Sequence, residues 1–594
     1  MKLHTICPGK ALKNKHKKSR LALHMLNQRK ANMNVTVNRM SVIAVVLGLP
    51  VVFLSGLLQG GPWRVLVVVA TALAVAVGIA VAKLLLRHAW FTRRLSCFST
   101  PRTHSWLIGH LGQMRDTEEG LLEVDSLIRT YGHSCCWFLG PFYHMVRVFH
   151  PDYTRPLLTA SAAITVKDEL FYGILRPWLG QSLLLSNGEE WSRRRRLLMP
   201  AFHFDILKGY VAVFNTSANT MHSKWMRLLS AGQGDLEMFQ HVSLMTLDSL
   251  LKCAFSYNSC CQDTSSEYVS AIVELGVLIM ERRQRILHHW DWLYWRTAQG
   301  KRFQRAADVV HSFTRGVVEQ RRTLIHQQRV TESQDATTGD ASQKQKRKDF
   351  IDIILAQDEE GHGLTDEEVQ AETDTFMFAG HDTTASAICW ALYNLACHTH
   401  FQERCRQEVM ELMGDRAEPE IKWTDLSSLP FTTMCIKESL RLHSPVLAVT
   451  RQYTQDMDLP GDRTVPQGTI CLVSIYGTHH NPTVWSDPLE FDPLRFDPAN
   501  SRGRSPYAFI PFSSGPRNCI GQRFAMAELQ VLVALTLLRF RLSPGVNPDA
   551  TPDPCATSAP QGIRRLPQVV LRAEGGMWLQ LEPLAPPDRE GPSA

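Results

Sequence analysis

The chain contains no Cys-x-x-Cys pair and no evenly spaced cysteine framework, although it holds 14 cysteines. That excludes a disulfide scaffold and points to reduced thiols facing the cytosol. The adjacent pairs Cys135-Cys136 and Cys260-Cys261 read as packing residues. Charge of one sign is also scarce. Lys and Arg number 64 against 57 Asp and Glu, and ten of the basic residues fall within positions 1–39, so the remainder is close to neutral. A nucleic-acid partner is therefore unsupported. No internal repeat is visible, and no small-residue cleavage site marks the first apolar run as a removed secretory signal. What the chain does have is apolar content of 44%, enough for a large core within 594 residues.

Two apolar segments follow the basic start, residues 42–58 and residues 65–86, separated by Gly60-Gly61-Pro62. The second exceeds the roughly 20 residues needed to span a bilayer, and its one charge, Lys83, lies where the side chain can reach the interface. Arg87, Arg93 and Arg94 follow, and by the positive-inside rule they keep the main body in the cytosol. A basic stretch before a single span conflicts with a luminal start. A hairpin of two spans, or translation from Met40, would each remove the conflict. The expected organisation is a basic extension over 1–39, a membrane-associated segment over 40–64, and an anchor over 65–86. A basic, aromatic linker over 87–104, a cytosolic domain over 105–584 and a Pro-rich tail over 585–594 follow.

Within the large domain, Pro101 and the run 106–112 read as the entry hinge. Periodicity predicts helices over 184–198 and over 349–395, the latter interrupted at Ala379-Gly380. The polar segment 327–348 reads as a surface loop. Strand-like runs appear at 446–453, 469–475 and 569–581.

The stretch Phe512-Ser513-Ser514-Gly515-Pro516-Arg517-Asn518-Cys519-Ile520-Gly521 carries the sharpest chemistry. Gly515 and Gly521 allow a tight turn and close approach to a flat macrocycle, which makes Cys519 a candidate thiolate ligand for haem iron. Arg517 can hold a haem propionate, while turn amides and Phe512 would tune the sulfur. Trp191 and Arg195, one helical turn apart, and Arg451 are further cofactor-binding candidates. Arg193, Arg194 and Arg196 read as a basic surface for an acidic redox partner.

In Phe378-Ala379-Gly380-His381-Asp382-Thr383-Thr384, a glycine and an acid–hydroxyl pair interrupt an otherwise apolar helix. A helix-interior Gly costs about 1 kcal/mol relative to Ala, and a Thr hydroxyl can open the ladder by bonding an earlier carbonyl. A widened groove there would hold dioxygen and water, with Thr383 as hydrogen-bonding hydroxyl and Asp382 as proton relay. Glu438 and Arg441 share a helical face, and Arg495 would complete a buried Glu-Arg-Arg junction of structural importance. His381, His479 and His480 lack the spacing of metal ligands. Phe376, Phe378, Ala379, Val446 and Leu447 are candidate substrate contacts.

The Cys519 decapeptide matches the Phe-x-x-Gly-x-Arg-x-Cys-x-Gly signature of the cytochrome P450 superfamily at every fixed position. Trp191-Ser192-Arg193, 200–204 and 374–378 make the chain most similar to family 4, subfamily F. The resemblance implies a mainly α fold with small β-sheets (α+β), a b-type thiolate-ligated haem, and O2 with NADPH-derived electrons as co-substrates. It also implies hydroxylation of long-chain fatty acids and eicosanoids such as leukotriene B4 near the terminal carbon. NADPH-cytochrome P450 reductase would be the partner, with cytochrome b5 as a second donor, at the endoplasmic-reticulum membrane. A reductase-independent haem-thiolate isomerase or dehydratase and a catalytically silent haem-binding membrane protein are the other classes. The Asp382-Thr383 pair argues against the isomerase. One position departs from the pattern: many family 4 members carry, before the helix glycine, a glutamate esterified to a haem methyl, and here that residue is Ala379. Haem is therefore expected without the ester.

Overall fold

The computed structural model describes residues 62–103, 105, 108–263, 266–335, 349–356, 363–414, 416, 419–548 and 563–584. Expectations for the basic start, the first apolar segment, positions 106–107 of the hinge, most of the polar segment and the tail lie outside these residues. The chain divides into Met1–Arg94 and Leu95–Ala594. In the first unit, helix α1 (Pro62–Arg94) is continuous and carries no acid in its first turn, with Arg93 and Arg94 in its last. An 18-residue window within its Val67–Arg94 stretch has mean hydropathy 2.4, and the stretch is long and apolar enough to cross a membrane. The helix runs through the first half of the expected linker because nothing from Arg87 to Arg94 breaks it.

The second unit is mainly helical with small sheets. A five-stranded sheet contains β1 (Ser134–Leu139), β2 (Tyr143–Val148), β3 (Thr165–Val166), β4 (Ala448–Tyr453) and β5 (Ile470–Ser474), in the order β1-β2-β5-β4-β3. Only β2 and β5 pair in parallel; Arg147 stands opposite Leu472. In the antiparallel pairs, Cys135 opposes Arg147 and Arg451 opposes Cys471. The predicted strands 446–453 and 469–475 are thus found, trimmed at the ends. The run 569–581 is two strands, Leu571–Ala573 and Trp578–Pro583, divided by a turn at Gly575 and Gly576, both at positive φ.

Five helices frame the site, α2 (Gly188–Leu198), α3 (Phe204–Ser230), α4 (Met238–Ala254), α5 (Glu267–Gln284) and α7 (Asp366–Cys397), while α6 (Ala298–Asp335) packs against α5 and α7. Helix α2 starts four residues later than expected, at Gly188. Helix α6 continues through 327–335, where a loop was expected, since Gln, Arg and Glu are good helix formers and no Pro or Gly stops it. The long predicted helix is instead two: Phe350–Ile354 with an Asp349 capping box, and α7, opened by a second capping box from Thr365 and Glu368. Helix α7 is unbroken at Ala379-Gly380 and lies in the centre of the core. Most of its residues are buried, which explains why its sequence lacks a clean polar face. Two later helices, α8 (Pro430–Leu442) and α9 (Gln522–Arg539), complete the frame.

Candidate active site

The Cys519 loop is set by backbone. The Cys519 amide donates to Phe512 O at 2.9 Å, Asn518 N–H to Gly515 O at 3.1 Å, and Ser513 N–H to Ile510 O at 2.9 Å. Gly515 has φ +74°, and a Cβ there would stand 2.1 Å from Leu158 O, so the expected need for glycine is met by both conformation and space. Gly521 differs. Its φ is −87°, it caps α9, and an added Cβ would only touch Phe202 and the Cys519 sulfur at 3.8 and 4.0 Å. The turn there needs no left-handed backbone.

Cys519 opens into an interior cavity of about 570 Å3. Burial pushes its thiol up, while the Gly521 amide and the Arg195 cation pull it down. The start of α9 adds the positive end of a helix dipole beside the same sulfur. Of the predicted site residues, Trp191, Arg195, Phe376, Phe378, Ala379, Thr383, Val446, Leu447, Arg451, Phe512, Arg517, Cys519 and Gly521 all line the cavity; Gly515 and Asp382 do not. Arg517 donates to Ser186 O at 3.0 Å and lies 4.5 Å above the Trp191 ring, yet its buried Nε has no partner. Burial, and then neighbouring Arg451, lower Arg517 to about 10. Arg451 donates to Thr450 O at 2.8 Å.

Lys167, absent from the sequence-based candidates, joins this group. Burial holds its amine well below the usual range, with Arg451 and Arg517 adding repulsion and Asp168 opposing. Its Nζ stands 3.8 Å from the Tyr172 ring centroid. A lone lysine after a two-residue strand gives no sequence signal. Lys167, Arg451 and Arg517 crowd together on a cavity wall beside a sulfur, an arrangement that calls for an anionic ligand. A haem fits this donor set: its iron suits the sulfur and its propionates the cations. Arg195 is otherwise engaged, donating to Asn518 O at 2.8 Å and Asn518 Oδ1 at 2.7 Å, so it braces the residue before Cys519.

Arg194 is the clearest correction. Expected on a basic surface with Arg193 and Arg196, it is 2% exposed and joins Glu190, Glu368 and Glu372 through contacts of 2.8–2.9 Å. Glu372 also accepts from Leu183 N–H at 3.0 Å. Burial pushes the Glu372 carboxyl up despite Leu183 N–H and Arg194. For Arg194, desolvation is outweighed by Glu372 and Glu190, which hold the guanidinium up. The junction fixes α2 to α7, since acids at 368 and 372 fall one turn apart. Arg193 remains exposed but pairs with Glu368 at 2.7 Å.

On α7, Thr383 donates to Ala379 O at 2.7 Å and Thr384 to Gly380 O at 2.8 Å. Both hydroxyls face back along an intact helix. Gly380 serves close packing: a Cβ there would meet Leu250 of α4 at 2.8 Å. Asp382 is buried and accepts from Arg572 at 2.5 Å. Phe376 packs against Phe350, and Phe378 against Trp178, with centroids 4.4 and 4.5 Å apart.

Glu438, Arg441 and Arg495 meet as one buried cluster. Glu438 takes both Arg441 Nε and an Arg441 terminal nitrogen at 2.8 and 2.7 Å, and Arg495 Nε at 3.3 Å. Arg441 also donates to His479 O, Pro488 O and Glu490 O. His479 Nε2 accepts from Ile510 N–H at 2.8 Å, tying the cluster to the cysteine loop. Burial, then Arg441, lower His479 to about 3 and keep it neutral. His381 bonds Met377 O within α7 at 2.7 Å, and His480 bonds Tyr476 O at 2.9 Å.

The model of the family Cytochrome P450 matches residues 100–563. The chain is 55% identical over 493 residues to human "Cytochrome P450 4F3", covering 83% of this chain and 91% of that protein. It is 53% identical over 495 residues to the human "Ultra-long-chain fatty acid omega-hydroxylase", covering 83% and 90%. Similarity to mouse "Cytochrome P450 4F3" is 54% over 494 residues, covering 83% and 90%.

Proposed function

Because the chain belongs to the cytochrome P450 family, in its family 4 and subfamily F, we propose that it hydroxylates long-chain fatty acids and eicosanoids, such as leukotriene B4, at or near the terminal carbon. The observation that carries this reading is a cysteine sulfur opening into an apolar cavity beside a cationic wall, in a chain 53% identical to a fatty-acid omega-hydroxylase. Haem, when bound, supplies the oxidising chemistry: one atom of O2 enters a C–H bond and the other leaves as water, using NADPH-derived electrons.

The chain's own residues bind and orient. Cys519 would hold the iron and Arg517, Arg451, Lys167 and Trp191 the propionates, while Arg195 keeps Asn518 and hence the cysteine loop in place. Glu438, Arg441 and Arg495 stiffen the support behind that loop. Phe376, Phe378, Ala379, Val446 and Leu447 exclude water and pack along the acyl chain. The Thr383 hydroxyl hydrogen-bonds at the reacting end, and Asp382 passes protons to it through water once its carboxylate is released from Arg572. The residue at 379 has only a methyl, so no ester tethers the haem. Without that tether, in-chain positions near the terminus become accessible alongside the terminal methyl.

We place the protein in the endoplasmic-reticulum membrane through its apolar N-terminal helix, with the catalytic unit in the cytosol. NADPH-cytochrome P450 reductase is its electron donor and cytochrome b5 a second one. The test is reconstitution with that reductase, NADPH and a panel of fatty acids and leukotriene B4, with products read by mass spectrometry. Reductase-dependent hydroxylation near the terminus is expected. Rearrangement of fatty hydroperoxides without reductase, and no hydroxylation with it, would overturn the reading.

A further inference from the structure

Arg147 lies on β2, whose alternation sends Met145 and Arg147 to one face; both line the cavity, as does Trp137 on the facing strand. The guanidinium carbon lies 5.1 Å from the Trp137 ring centroid. The Arg147 side chain makes no hydrogen bond or ion pair with any described residue, and its Nε is buried without a partner. Arg283, at the end of α5, repels it, also lines the cavity and also has a buried Nε without a partner.

Charge counting makes the arrangement incomplete. Among the described residues Asp116 is the one acid lining the cavity, and it is already taken by Arg283 and Gln284. Arg147, Arg283 and Asp116 together therefore carry one excess positive charge. The other cations do not share in it: Lys167, Arg451 and Arg517 form the group beside Cys519, Arg195 braces Asn518, and Arg115 faces Glu123 at 3.9 Å. A desolvated guanidinium left unpaired is costly, and a carboxylate is the planar anion that matches its fork.

We propose that Arg147, assisted by Arg283, anchors the carboxylate of the fatty substrate, so that this pair sets the headgroup preference of the site. The inference rests on the fatty-acyl reading above and adds to it the group that recognises the acid end. The apolar walls, Met145, Leu472 and Leu447 among them, then receive the chain between the anchor and the Cys519 centre. Trp137 holds the Arg147 plane from behind by cation–π contact. Arg147 is a binding residue, outside the chemical step.

The experiment uses the full-length holoenzyme and two probes alike in chain and unsaturation, arachidonic acid and the corresponding alcohol. Affinities are measured by titration for the wild type and for Arg147→Gln, Arg147→Lys and Arg283→Gln. The wild type should bind the acid at least about 10-fold more tightly than the alcohol. Arg147→Gln should weaken the acid by roughly 10–100-fold while moving the alcohol by less than about 3-fold. Its KM for the acid rises while kcat stays near wild type. Arg147→Lys should restore part of the preference, and Arg283→Gln should reduce it less. If the wild type oxidises the acid but shows no preference over the alcohol, or Arg147→Gln binds the acid like wild type, the anchor is wrong and the fatty-acyl reading stands. If the wild type binds neither probe, both fail. The wild-type comparison decides the matter even should a variant misfold.

Discussion

A methyl group at position 379 has a direct chemical consequence. An ester to haem needs a carboxyl, so acid extraction into organic solvent should release the haem from wild-type protein. Ala379→Glu, after turnover, should retain a measurable share on the polypeptide. Thr383 works at the same scale. Thr383 lines the cavity while its hydroxyl donates to Ala379 O, so the oxygen can accept at the reacting end without disturbing the helix. Thr383→Ala should lower product formed per NADPH by about 10-fold or more, with hydrogen peroxide rising to match, since positioned proton transfer is being removed. Unchanged coupling would remove Thr383 from the proposed role. These residues were legible in the sequence because each sits in a short motif of fixed spacing. Lys167 and Arg147 were not, because nothing within a few residues of either says that a cavity lies in front of it.

Whole elements are held by contacts that local patterning does not reveal. Helix α2 carries four consecutive arginines, and only the fold shows that Arg195 faces the cysteine loop while Arg194 turns into three carboxylates on α2 and α7. Arg194→Leu leaves Glu372 buried and unpaired and should cost about 3–5 kcal/mol. Thermal unfolding checks this, and the double variant with Glu372→Leu should recover part of the loss. Helix α9 offers a pH test. Glu528 accepts from the Ser249 hydroxyl, its Oε2 has no partner, and burial pushes it up to about 8. An acid that titrates higher in the folded chain binds more protons there. Its contribution is therefore fully present below the unfolded value, about 4.3, and is lost as pH rises toward 8. Glu528→Gln keeps an acceptor for Ser249 and removes that loss. The Tm advantage of the variant over wild type should grow across this window and level off above it; a constant difference would argue that Glu528 does not titrate there.

At the scale of the molecule, the division at Arg94 separates an apolar helix from a unit with its own core. Removing residues 1–94 should move the protein from the membrane pellet toward the soluble fraction while its reduced carbon monoxide complex keeps the thiolate-haem spectrum. Loss of that spectrum would mean the helix also supports the catalytic unit. The sequence by itself determined the thiolate loop, the Glu438–Arg441 pair, the apolar N-terminal helix and the missing ester acid. Each depends on residue type at short spacing, and turn geometry or helical pitch converts such spacing directly into position. Only the tertiary structure decided which arginine of a run of four is buried, that Asp382 faces Arg572 outside the cavity lining, and that Arg147 stands uncompensated on a cavity wall. Those outcomes depend on which faces of distant elements meet. The packing of α2, α7 and the sheet around one cavity sets them, and no local period in the chain encodes that meeting.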